Sequence, residues 1–362
     1  MIDRTVKYDS AAFARLMLDD KKKIRSLDKS DMLGTISSFP QLIEAGSRAA
    51  LSSDLGELEC NGGIRFLGLG GSAIGGDFIR DWLGNSINGG VMVERGFQLS
   101  SPVKPDSLVI CCSYSGNTAE TIGMLEQAMK SKSKNMLLIS SGGELEKIAK
   151  KKSLPFIKLG KVPMPRASLP MVISSVASVL DEVGLTKDAG KKLLAAADPC
   201  RKFICSEISI DVPTGKNVAK QIAHTVHGFV PVAIAPAGMT SIARRWKTQM
   251  NENAKQHCFF GTFPEVSHNE IVPWLRDARS EIFVAIFLED VFNDKRLESG
   301  FSRFRKALTG SVKTVDISAL GKSRIQSLLN HVLLADFTSV YSSFLSQVDP
   351  TPVEEITRFK GK

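Results

Sequence analysis

Two hydrophobic rhythms alternate along the chain. Short apolar runs recur at Ile64–Leu69, Val91–Glu94, Leu108–Cys112, Met136–Ile139 and Pro155–Leu159. Their length and β-branched content predict strands buried on both faces. Between them apolar residues return at three- or four-residue spacing, as in Ile74, Phe78 and Trp82 or Ile122, Leu125 and Met129, which predicts helices. The stretch Gly160–Pro170, with three prolines and Arg166, is expected to be an ordered loop before a helix over Met171–Leu180. The pattern pauses between Asp198 and Asp211. It resumes as helix Asn217–His227, strand Val230–Ala235, helix Ser241–Gln256 and strands Ile282–Leu288 and Val312–Ile317, with a helix near Phe301–Leu308 between those strands. A long apolar helix over Ile325–Phe344 precedes a short tail. Residues 1–55 read as a helical segment of closely alternating charge. Strands alternating with helices predict an α/β fold of parallel sheets flanked by helices. The expected partition is 1–55, 56–200, 201–345 and a tail over 346–362. Two α/β units of similar size suggest an internal duplication.

The turns after two of the strands carry the first chemical signal. The first strand runs into Gly70-Gly71-Ser72-Ala73-Ile74-Gly75-Gly76, and the third into Ser113-Tyr114-Ser115-Gly116-Asn117-Thr118. Each turn opens a helix whose first amides lack intrahelical partners and carry partial positive charge. Small hydroxyls, a glycine that admits close approach and those amides make a site for a compact anion such as a phosphate. The competing reading is that Ser115, Asn117 and Thr118 merely cap the helix. Gly68-x-Gly70-x-x-Ala73, with Glu94 as a ribose-binding acid, also fits a loose dinucleotide fingerprint, so a nicotinamide-dependent dehydrogenase stays open. A nucleotide P-loop does not, because Gly321-Lys322-Ser323 has Asp316 where the first glycine belongs.

Composition narrows the classes further. The 362 residues are 43% hydrophobic and 23% charged, with room for two domains. A net charge of +9 is spread out apart from Lys21–Arg25 and Lys147–Lys152, without interleaved aromatics, so no nucleic-acid partner is expected. No apolar run is long enough to span a membrane. The opening Met1-Ile2-Asp3-Arg4 lacks the core of a secretion signal, and six scattered cysteines form no framework, which together point to a reduced cytoplasm. No metal-ligand spacing is present beyond His224 and His227, three apart on a helix, and no cofactor is expected. Glu252, in Asn251-Glu252-Asn253-Ala254-Lys255, falls about 200° round the helix from Met250. By spacing alone it reads as a solvated carboxylate rather than a functional one, and the same holds for His268 in Ser267-His268-Asn269-Glu270.

Taken together, the two Gly/Ser turns, Met250–Lys255, Pro264–Glu270 and the ending Asp349-Pro350-Thr351-Pro352-Val353 with Lys360 resemble the bifunctional phosphoglucose/phosphomannose isomerases. That family carries two sugar isomerase (SIS) domains in one chain. The resemblance implies SIS domains over 56–200 and 201–345, with the tail contributing to the active site. It implies an aldose–ketose isomerase that interconverts glucose or mannose 6-phosphate with fructose 6-phosphate through an enediol. Gly71, Ser72, Ser113, Ser115 and Thr118 would hold the substrate phosphate, and Arg166 would stabilise charge on the enediolate. Glu252 would be the base at C2 and C1. His268 would assist ring opening from the second subunit of a homodimer, Lys360 would act at the ring oxygen, and Thr351 would touch sugar hydroxyls. A non-catalytic SIS protein that senses a sugar phosphate would need the hydroxyl turns but not Glu252, His268 or Lys360.

Overall fold

In the computed structural model, which describes residues 17–131, 133–290 and 294–359, the apolar runs become two parallel sheets. The first unit, Ser38–Cys200, contains β1 (Ile64–Leu67), β2 (Val91–Glu94), β3 (Leu108–Cys112), β4 (Met136–Ser140) and β5 (Phe156–Lys158), in the order β2-β1-β3-β4-β5. Register sets Leu67 beside Cys111, so β1 and β3 end together at the centre of the sheet. Alternate residues of each strand enter opposite cores, as the pleat requires. Phe66, Ile110 and Ile139 pack with residues of the helices Phe39–Leu51, Gly71–Leu83 and Leu169–Glu182. Leu67, Val109, Cys111 and Leu138 pack on the opposite face with the helices Ala119–Met129 and Gly143–Lys152. Each such fully buried aliphatic side chain contributes roughly 1.5–3 kcal/mol.

The second unit joins the residues up to Ser37 with those from Arg201 onward. Its sheet comprises β6 (Val230–Pro236), β7 (Phe259–Phe263), β8 (Phe283–Leu288) and β9 (Lys313–Ile317), in the order β7-β6-β8-β9. Numbered from its own first strand, that order repeats the 2-1-3-4 of the first sheet, a common order for doubly wound α/β units and one consistent with a duplication. Helices Val218–Val226 and Thr240–Glu252 pack on Arg324–Leu345. This last helix is buried all round and carries polar side chains inward, among them Asp336, which grips Arg245 through two hydrogen bonds of 2.7 and 2.8 Å. The N-terminal helices are shared out between the units. Phe39–Leu51 belongs to the first, whereas the segment around Asp19 is tied into the second. There the Asp19 carboxylate accepts from the Thr214 backbone N–H (2.9 Å) and from the buried Lys220 ammonium (3.0 Å).

Several boundaries depart from the sequence expectation. β7 was not foreseen, because its run Phe259-Phe260-Gly261-Thr262-Phe263 mixes an exposed edge face with a buried one. The helix expected to reach Gln256 stops at Glu252, and the loop expected through Pro170 is already helical from Leu169, after a short turn at Pro165–Ser168. β1 ends at Leu67, because Gly68 lies between backbones: a Cβ there would stand 3.2 Å from Cys112 O and from Ala73 N.

Candidate active site

The hydroxyl turns converge at the carboxyl ends of β1 and β3. In the strand order β2-β1-β3 this is the point where the chain reverses its direction of travel across the sheet, the place where α/β folds open a crevice. Ser72 is the second residue of the helix Gly71–Leu83, and its Oγ accepts the Tyr114 backbone N–H at 3.2 Å, so the first turn is bonded directly to the second. Gly70 reaches this turn at φ +54, a region favourable to glycine. Burial pushes the Cys112 thiol at the end of β3 up to about 12, with the Ser72 hydroxyl only partly offsetting it, so this sulfur is an inert floor and no nucleophile.

Within the second turn the side chains divide their labour. Thr118 occupies the position ahead of helix Ala119–Met129 but makes no capping bond; its Oγ1 pairs with the buried Ser113 Oγ at 2.8 Å. The capping reading therefore fails for Thr118, and the first turn of that helix keeps amide donors without a side-chain cap. Ser115 is exposed and its Oγ accepts from the Asn117 N–H at 3.3 Å. Asn117 is structural: its Oδ1 accepts the Glu144 N–H at 2.9 Å, pinning the start of the next helix. Gly116 sits at φ +71, where an added Cβ would stand 1.8 Å from Gly142 O.

Arg166 is buried in the turn Pro165–Ser168 and is carried to this same place. A Cβ on Gly71 would lie 3.5 Å from Arg166 Cα, in ordinary contact, so the first turn stands directly beside the arginine's backbone. Gly71, Ser72, Ser113, Ser115, Thr118 and Arg166 thus share one end of one sheet. Sequence reasoning passed over Tyr114, whose hydroxyl accepts the Val162 N–H at 2.6 Å and ties the second turn to the segment before Arg166. Only its place between two serines marked it. Glu94, the acid a dinucleotide would need, is consumed by a 2.5 Å ion pair with Arg65 and by the Ser100 hydroxyl at 2.8 Å.

The remaining candidates belong to the second unit. Glu252 is the last residue of the helix Thr240–Glu252 and is half-buried. The helix ends there because Lys255 turns left-handed at φ +55, and its ammonium donates to the carbonyls of Glu252 (2.6 Å) and Pro350 (3.0 Å). A cation at a helix C-terminus satisfies free carbonyls and opposes the dipole. Asn251 and Asn253 hold the same bend, donating to Gln256 O (2.8 Å) and Ser339 Oγ (2.9 Å). His268 is exposed and closes the turn Glu265–Ser267 through its N–H to Glu265 O at 2.9 Å. Thr351 is buried, its N–H held by Asp349 Oδ1 at 2.8 Å. Lys360 lies outside the described residues. Among the described residues no His, Cys, Asp and Glu side chains group as metal ligands, and no helix is long and apolar enough to cross a membrane.

The fold is shared with solved structures. The C-terminal domain of glucosamine-fructose-6-phosphate aminotransferase from Francisella tularensis aligns over 89% of this chain and 98% of that one, with a TM-score of 0.69 at 15% identity. Residues 215–362 match the family described as the bacterial phospho-glucose isomerase C-terminal SIS domain. The class is therefore the SIS-type α/β proteins. Two curated relatives are each named bifunctional phosphoglucose/phosphomannose isomerase. The one from Aquifex aeolicus is 33% identical over 300 residues, 82% of this chain and 89% of its own. The one from Caldicellulosiruptor bescii is 32% identical over 298 residues, 82% of this chain and 87% of its own. The chain belongs to the bifunctional phosphoglucose/phosphomannose isomerase family.

Proposed function

We propose that this isomerase interconverts glucose 6-phosphate and mannose 6-phosphate with fructose 6-phosphate. The observation that carries the reading is the pair of hydroxyl-bearing turns bonded to each other at the adjacent ends of β1 and β3, beside a buried arginine. In this reading Ser72, Ser113, Ser115 and Thr118, with the Gly71 backbone, hold the phosphate. Binding energy from this remote group positions the reacting carbons. The Glu252 carboxylate takes the proton from C2 of the open-chain aldose and the electrons move to the carbonyl oxygen at C1; a proton passes from the C2 hydroxyl oxygen to the C1 oxygen across the cis-enediolate, and Glu252 returns its proton to C1 as the carbonyl forms at C2. Arg166 stabilises the negative charge that develops on the oxygens. His268 assists ring opening, Lys360 serves the ring oxygen and Thr351 contacts the sugar hydroxyls. The proton moves between neighbouring carbons, so the mechanism calls for neither a metal nor a redox cofactor.

The homodimer belongs to the same proposal, with His268 reaching the site of the second copy in a cytoplasmic enzyme. Phe259 on the edge strand β7, with Val272, Leu275 and Ile282, presents exposed apolar surface in the stretch that includes His268. A cleft of about 420 Å³ lined by Trp274 and Phe283 adjoins Phe259. Light scattering that returned a single-chain mass for the active enzyme would remove the second copy from the mechanism.

The deciding assay is turnover of glucose 6-phosphate and mannose 6-phosphate side by side. Activity on neither would favour the sensor that binds sugar phosphate without converting it. In Glu252→Gln, kcat is expected to fall roughly 10²- to 10⁴-fold, while binding of a non-isomerisable hexitol 6-phosphate is kept. Full turnover in that variant would reject Glu252 as the base.

A further inference from the structure

We propose that Tyr114 is a positioning residue that fixes where Arg166 stands relative to the phosphate turns; the inference rests on the isomerase reading above. The two halves of this residue are bonded to different parts of the site. Its main chain belongs to the turns: the N–H donates to Ser72 Oγ at 3.2 Å, and the carbonyl accepts from both the N–H and the hydroxyl of Ser141 at 2.8 Å each. Its hydroxyl belongs to the segment that leads to Arg166. It accepts the Val162 N–H at 2.6 Å and lies 3.2 Å from Val162 O and 3.4 Å from Gly160 O, either of which can take its single proton. The ring between them is buried and rigid, so it acts as a spacer of fixed length.

The tether at Val162 is carried to Arg166 by a stiff connection. Pro163 and Pro165 lock their own φ angles, and the Ala167 N–H closes the turn onto Met164 O at 2.9 Å. The Ser168 hydroxyl bonds Pro165 O at 2.7 Å. The Arg166 backbone then lies beside Gly71 of the first turn. The bland alternative is a buried tyrosine that satisfies its hydroxyl on whatever backbone lies nearest, as most do. The two readings differ in what the loss of that hydroxyl does to Arg166.

Tyr114→Phe separates them, because it removes the bonds to Gly160 and Val162 and leaves the main-chain bonds to Ser72 and Ser141. With glucose 6-phosphate as substrate, kcat is expected to fall about tenfold, since a small displacement of a charge-stabilising group is felt mainly in the transition state. KM and competitive inhibition by inorganic phosphate are expected to change by less than about twofold in the same variant. In an Arg166→Ala background the further loss on Tyr114→Phe is expected to shrink to less than about twofold, because the arginine through which it acts is gone. Equal losses in both backgrounds, or a variant with unchanged kcat, would overturn the proposal. Hydrogen exchange supplies a second readout that needs no turnover. Amides over 160–168 are expected to exchange faster in Tyr114→Phe while those of 113–118 keep their protection; unchanged exchange over 160–168 also overturns it. A wild-type chain inactive on both hexose phosphates would reject the isomerase reading, and the exchange comparison would still decide whether the tether exists.

Discussion

At Gly116 the second turn has no room for any other residue. Its φ of +71 already disfavours an L side chain, and the neighbour a Cβ would strike is a carbonyl of the backbone, which cannot swing aside as a side chain can. Gly116→Ala is expected to cost roughly 2 kcal/mol or more, read as a lower denaturant midpoint, and to raise KM by displacing Ser115 and Thr118. A variant as stable as wild type with unchanged KM would show that the turn is not held as tightly as these contacts imply. From residue type and spacing the serines and the threonine read equally as helix caps and as an anion site. Which of them is structural was not legible. Asn117 and Thr118 are both good capping residues, and only the bond from Thr118 to Ser113, with Asn117 reaching Glu144, distinguishes them.

Among the elements, the helix Thr240–Glu252 shows how tertiary contacts override a local pattern. Its apolar stripe of Ile242, Trp246 and Met250 runs on to Ala254 at the same spacing, yet the bend made by Asn251, Asn253 and Lys255 stops the helix at Glu252 and fixes the carboxylate's backbone. Its other anchor is the buried pair of Arg245 with Asp336 on the helix Arg324–Leu345. Removing one member of such a pair leaves an uncompensated buried charge. Asp336→Leu alone is therefore expected to lose about 3–5 kcal/mol, whereas Arg245→Leu with Asp336→Leu recovers most of that loss. Chemical denaturation of the single and double variants measures both, and a double variant no better than the single would mean that the pair does more than neutralise itself. The partner of Arg245 lies 91 residues away, so no local sequence pattern named it.

For the whole molecule, the strand pattern carries over almost intact: among the described residues, eight of the nine strands lie within two residues of their expected bounds, and the order 2-1-3-4 recurs in the second unit. A global pH response follows from one buried residue. Burial lowers the His331 imidazole from 6.5 to about 3, with its Nε2 at 3.0 Å from Glu289 O. The folded chain therefore keeps His331 neutral where the unfolded chain takes up a proton. The stability this provides is complete above pH 6.5 and is lost as pH falls toward 3, by an amount on the order of a few kcal/mol. Denaturation midpoints measured from pH 7 to pH 4 are expected to fall more steeply in wild type than in His331→Gln; parallel slopes would show that this histidine does not set the response. By itself the sequence determined what short-range periodicity and residue chemistry encode: the α/β class, the two sheets, the hydroxyl turns and the family. Only the tertiary structure decided that Tyr114 bridges to Val162, that Glu94 is spent on Arg65 and Ser100, and that Asp19 belongs with Lys220. Those choices depend on bonds between residues distant in the chain, and neither spacing nor composition specifies which distant partner a polar group will meet.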